Sequence, residues 1–184
     1  MKNKFFQKIN SNMIIALSAV LISLCALIVS IQQVRIMQTQ QKVSLFPYLT
    51  VGIFFGADGF GFYLKNSGTG LAKINSYQIF DGENYFKDWT EVIDYYLPEG
   101  HHIDYGIMSS NGIQDEMITP EERITLCKLQ WTEESRLLQQ RIGNLKIKIC
   151  YSSLLDNYWQ VNIDNERVAL SEPCESDEGR EFEN

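Results

Sequence analysis

The sequence is poor in the residues that perform covalent and metal chemistry. Histidine occurs only twice in 184 residues, as the adjacent pair His101 and His102. Cysteine occurs four times, with no C-x-x-C spacing. A Ser-His-Asp or Cys-His site therefore runs through that one histidine pair or does not exist. Neighbouring side chains on a strand point to opposite faces, so His101 and His102 cannot share a metal without a loop. His101-His102-Ile103-Asp104 reads instead as a solvated strand start. No cysteine and histidine spacing fits zinc. Also missing are a phosphate-cradling P-loop, G-x-G-x-x-G, G-x-S-x-G and H-E-x-x-H. The pairs Glu121-Glu122 and Glu133-Glu134 stand at strand and helix entries and read as solvated charge rather than acid–base partners. No metal and no cofactor are expected, and no small-molecule substrate is evident.

Positive charge is scarce too. Sixteen Lys and Arg face 23 Asp and Glu, a net charge of −7. The first residues hold Lys2, Lys4 and Lys8 and no acid, so everything after residue 31 sits at −10. A body that acidic repels phosphate backbones, which argues against a nucleic-acid partner. It gains nothing from anionic lipid headgroups beyond what the leader supplies. Asn-x-Ser/Thr acceptors are absent. Cys25 lies in an apolar stretch, leaving Cys127, Cys150 and Cys174, an odd number that allows at most one intrachain disulfide. Cys127 with Cys150 is the candidate pair, and Cys174 is then the unpaired thiol. Cys150 is alternatively a buried thiol, or a reactive one activated by Lys146 and Lys148 on the same strand face.

What the chain does have is a long uncharged run, residues 13–31, MIIALSAVLISLCALIVSI. As a helix its 19 residues rise about 28 Å, close to the roughly 30 Å hydrocarbon thickness of a bilayer. A cleaved signal peptide has a shorter apolar region and a small-x-small site, whereas Ile31-Gln32-Gln33-Val34-Arg35 follows here. Leu24 stands before Cys25, where a lipoprotein needs a small residue. An uncleaved anchor is expected, with cleavage the alternative. Three lysines precede the span, with Arg35 and Lys42 just beyond it. The positive-inside rule then places the N-terminus in the cytoplasm and the soluble domain outside or in the periplasm of a bacterial cytoplasmic membrane. Within the span Ala16, Ala19, Ser23, Ala26 and Ser30 recur at 3-4 spacing and form one small-residue seam, where helix backbones approach closely. Such a seam packs on a second copy or on a partner's helix, or arises because Ala and Ser are common in spans.

Residues 32–44 contain no Gly or Pro and read as a helical juxtamembrane stalk. From residue 45 the period changes to two. Leu49, Val51, Ile53 and Phe55 alternate with Tyr48, Thr50, Gly52 and Phe54, a strand that Gly56-Ala57-Asp58-Gly59 turns back. Phe60, Phe62 and Leu64 face inward on the return. Asn66-Ser67-Gly68-Thr69-Gly70 is a dense turn before a third strand over 71–80. Trp89, Val92, Ile93 and Tyr96 stand at helical spacing, with Phe86 assigned to the same face, so a helix is expected over 84–97, stopped by Pro98-Glu99-Gly100. Ser109-Ser110-Asn111-Gly112 is a turn, and a strand follows over 123–131. Thr132 caps a second short helix ended by Gly143. Leu145, Ile147, Ile149 and Tyr151 mark the next strand, and Trp159, Val161 and Ile163 its return. Residues 171–184 hold six acids, one Arg and almost nothing apolar, the composition of a disordered tail.

Phe46-Pro47-Tyr48, the turn Asn66-Ser67-Gly68-Thr69-Gly70-Leu71-Ala72, and Ile149-Cys150-Tyr151-Ser152-Ser153 with Trp159 resemble a group of uncharacterised bacterial single-span membrane proteins. In that group an N-x-G-x-G-x-A turn joins strands of an immunoglobulin-like sandwich. Leu71 stands where the group often has proline. The resemblance implies a fold and no activity. The expected fold class is mainly β, an antiparallel immunoglobulin-like sandwich with two short helical inserts. Its organisation is a leader (1–12), span (13–31), stalk (32–44), sandwich (45–170) and tail (171–184). The expected function is a membrane-anchored, non-enzymatic binding or assembly module whose helix packs in a membrane complex. Loops and inserts carry binding, so Asn66, Gly68 and Gly70 and the helix over 84–97 are the candidate contact surfaces. The alternatives are a cytoplasm-facing subunit of a defence or transport assembly, and an enzyme using Cys150 or His101/His102.

Overall fold

The computed structural model describes residues 11–100, 103, 113–174, 177 and 179–183, the Lys42 side chain excepted. His101, His102, Asp104, the 109–112 turn and the leader lysines lie outside the described residues. The chain divides into two units, Met1–Val43 and Ser44–Asn184.

The described residues of the first unit form one helix, α1 (Ser11–Ser44). Residues 11–41 are apolar enough and long enough to cross a membrane, by length and composition. Ser23 Oγ donates to Ala19 O and Ser30 Oγ to Ala26 O, at 2.8 and 2.9 Å. The seam hydroxyls thus satisfy themselves within the helix, and what they offer a neighbour is small size.

The second unit is mostly antiparallel sheet with two short helices. Its elements are β1 (Leu49–Phe55), β2 (Gly59–Asn66), β3 (Ala72–Asp81), β4 (Asn84–Phe86), α2 (Trp89–Tyr96), β5 (Met117–Ile118), β6 (Arg123–Gln130), α3 (Glu133–Arg141), β7 (Lys146–Ser152), β8 (Tyr158–Asn162) and β9 (Arg167–Leu170). One sheet runs β1-β2-β6. The other runs β4-β3-β7-β8-β9, with β5 on β3. Period-two patterning, broken in β3 by a register shift between Ile74 and Ser76, puts Leu49, Val51, Phe60, Phe62 and Leu64 of the first sheet into one core with Ile74, Ile79, Ile147, Ile149 and Val161 of the second. β6 loses its clean alternation because the register slips at Phe62/Tyr63, so that Leu126 and Cys127 are both buried.

Two expectations change locally. Phe86 belongs to β4, paired with Ile79, and the helix starts only at Trp89 behind its cap Asp88. β4 is a three-residue strand, too short to show a period. β1 also runs past the core: Leu49 and Val51 are fully buried, whereas Ile53 and Phe55 are exposed and line a mixed groove of about 250 Å³ with Phe60, Ile142, Ile163, Lys146 and Asp164.

Candidate functional site

Strand register lays out a polar floor on the outer face of the larger sheet. Ser76 of β3, Cys150 of β7 and Gln160 of β8 stand side by side in one cross-strand row, and Gln78 and Lys148 in the next. Their neighbours along each strand, such as Ile79, Ile149 and Val161, face the core, so period two sends these five outward.

The chain beyond β9 covers that floor. Cys174 is disulfide-bonded to Cys150, with the Cα atoms 6.3 Å apart, and this ties the segment to the middle of the sheet. Six residues later Arg180 lies over the Tyr85 ring of β4 at 5.0 Å and pairs with Asp177 at 3.2 Å. The described residues of the segment therefore reach, as a strap, from the β9 edge of the sheet to the β4 edge. Between strap and floor lies a cleft of about 460 Å³, roofed by Leu170, Pro173, Cys174, Asp177 and Arg180. That volume lies within the usual range of small-molecule pockets.

The far end of the strap is set into the edge of β3. β5 pairs with Ala72 and Lys73, and β4 with residues from Ile79 onward, which leaves β3 open between them. The strap fills this gap, where Phe182 N–H donates to Tyr77 O at 2.8 Å, and it is also held just beyond β4, where Glu183 N–H donates to Lys87 O at 2.8 Å. Glu181 is 3% exposed, and its carboxylate accepts from Ser76 Oγ at 2.7 Å and Tyr77 N–H at 2.9 Å. Gln78 Nε2 turns toward the same carboxylate at 3.5 Å. Phe182 is fully buried against Tyr77 and Trp89, and Trp89 in turn stacks on Phe62. Lys87 pairs with Glu183 at 3.3 Å.

This corrects two expectations drawn from composition. The segment after Leu170 is not wholly a solvated tail, because one buried Phe, one buried and hydrogen-bonded Glu and one disulfide hold it down. Cys174 is bonded, and Cys127 and Cys150 do not pair. Cys127 faces the core from β6 opposite Phe62, while Cys150 points outward from the other sheet, so sheet backbone separates them. Burial pushes the Cys127 thiol up to about 12. Cys150, as a half-cystine, offers no thiolate.

The turn at Asn66, Gly68 and Gly70 proves to be an internal clasp. Asn66 is fully buried and uses its whole side-chain amide. Its Oδ1 accepts from Tyr48 N–H and Gly68 N–H, and its Nδ2 donates to Gly70 O and Ile118 O, all within 2.8–3.1 Å. A Cβ at Gly68 would lie 2.3 Å from Tyr48 N, and one at Gly70 would lie 2.1 Å from Leu45 O. Asn66 and Gly70 are thus withdrawn from any partner, and only Ser67 and Thr69 stand out. Trp89, Val92 and Ile93 of α2 are core residues as well. Among the described residues no cluster of three His, Cys, Asp or Glu can hold a metal ion. The cleft went unread in the sequence because its floor is the solvent half of three alternating strands. The only signal was Cys174 and Phe182 inside an otherwise featureless acidic stretch. The chain matches no family model, no curated protein and no solved structure.

Proposed function

We propose that the chain is a single-span membrane-anchored binding module, its soluble unit on the oxidising side of a bacterial cytoplasmic membrane and its strap-roofed cleft the binding site. The strap carries this reading. A segment that only covered the sheet would press apolar side chains onto it. This one is held at both ends and in the middle, yet leaves about 460 Å³ open over Ser, Gln and Lys side chains. The Cys150–Cys174 bond supports the compartment, since such bonds persist in oxidising surroundings. α1 supplies the anchor, and its seam at Ala16, Ala19, Ser23, Ala26 and Ser30 is the surface on which a partner helix or second copy packs. We further read the two sheets as an immunoglobulin-like sandwich, with β1-β2-β6 and β3-β7-β8 standing in A-B-E and C-F-G order.

The compartment is tested on intact cells. A membrane-impermeant phosphine followed by an impermeant maleimide is expected to label Cys150 and Cys174 before lysis. Labelling only after lysis overturns the outward orientation. Assembly is tested by crosslinking the full chain in its own membrane: crosslinks through α1 that vanish in Ala19→Leu/Ala26→Leu support the seam, and a lone chain in both refutes it.

A further inference from the structure

We infer that the cleft beneath the strap takes a neutral, polyhydroxylated ligand of sugar type, up to disaccharide size. This rests on reading the cleft as the binding site. Ser76 Oγ spends its proton on Glu181 and Gln78 turns its Nε2 to the same carboxylate. Each keeps an oxygen able to accept, on a side chain that lines the cleft and is only 4% (Ser76) or 6% (Gln78) exposed. Lys148 Nζ, a donor with no ion-pair partner among the described residues, stands beside Gln78, and Gln160, which both donates and accepts, stands beyond Cys150. Acceptors, a pure donor and an ambivalent amide thus lie on neighbouring strands about 5 Å apart, the ordinary spacing of paired strands. Hydroxyls on adjacent ring carbons each donate and accept, and they can meet such a grid. The roof fits the same class: Arg180 and Asp177 neutralise one another, Glu172 offsets the charge of Lys148 within the same lining, and Leu170, Pro173 and the disulfide offer an apolar surface to the C–H face of a ring. A small anion would use Lys148 but would leave the acceptors facing it and Glu181 beside it.

The test uses the full chain in a zwitterionic, sugar-free micelle. Ligand-observed NMR is run with methyl β-glucoside, N-acetylglucosamine and its β-1,4 dimer, and in parallel with inorganic phosphate and citrate. Saturable binding of a sugar with Kd near about 1 mM is expected. Gln160→Ala and Lys148→Ala, both outward on the sheet, are expected to weaken it about tenfold each with thermal stability unchanged. Lys73→Ala, in an ion pair away from the cleft, is expected to change nothing. Binding of phosphate or citrate alone, with the same dependence on Lys148, overturns the sugar class while upholding the cleft. Sugar binding indifferent to Gln160 and Lys148, or no binding by any of the five probes, overturns both.

Discussion

Asn66→Ala is the sharpest test of how this domain holds its chain entry. Asn66 makes four side-chain hydrogen bonds at full burial. Truncation strands two acceptors, Gly70 O and Ile118 O, in a buried place, and two donors, Tyr48 N–H and Gly68 N–H, at its rim. A stranded buried group costs about 1–3 kcal/mol, while rim groups recover water, so the sum is about 3–5 kcal/mol. That is roughly a third or more of the 5–15 kcal/mol that usually holds a domain. At a few degrees per kcal/mol for a domain of this size, the midpoint falls by about 10–15 °C. Near-UV circular dichroism melts and urea titration read it directly, with the m-value unchanged. Asn66→Asp refines the test. It keeps both acceptor contacts but turns an oxygen on Gly70 O and Ile118 O. It is expected to be worse than alanine at pH 7 and to improve as acid protonates the carboxyl. A loss below about 1 kcal/mol in Asn66→Ala, or an aspartate variant more stable than the alanine one at neutral pH, would refute the clasp.

Other outcomes follow from the same geometry. Phe182→Ala empties a fully buried site between Tyr77 and Trp89 and should cost about 3–5 kcal/mol, read by urea denaturation, where a surface tail would give nothing. Reducing Cys150–Cys174 opens a loop of 24 residues and should remove about 3 kcal/mol, with Cys174→Ser matching the reduced wild type. Cys127 should resist thiol reagents in the folded state near pH 8. Its folded pKa of about 12 lies above the ordinary value of 9.0, so the native state holds the proton more tightly. Its contribution is complete below pH 9 and lost as pH rises toward 12, and Cys127→Ala should flatten that part of the stability–pH curve. Gly68→Ala puts a methyl against backbone at 2.3 Å and should cost at least about 2 kcal/mol, whereas Gly143→Ala meets nothing and should stay within about 0.5 kcal/mol.

Alternation and turn chemistry alone determined much of this protein: an apolar helix, a run of antiparallel strands, the Thr132 cap and the inward faces of β2 and β7. These are local matters, since side-chain period follows from backbone geometry within a few residues. The glycines at 68 and 70 were legible as turn residues, but their reason, close approach of residues 45–48, was not. Tertiary structure alone decided which cysteines meet, because parity counts thiols and only the sheet's two faces say which can touch. It also decided the fate of the last residues. Composition measures whether a segment can bury itself, and the strap does not: it borrows a gap in β3, a pocket beside Trp89 and a half-cystine from β7. A long uncharged helix identifies itself in the sequence. A cleft made from the solvent side of three strands exists only once those strands lie side by side and something crosses them.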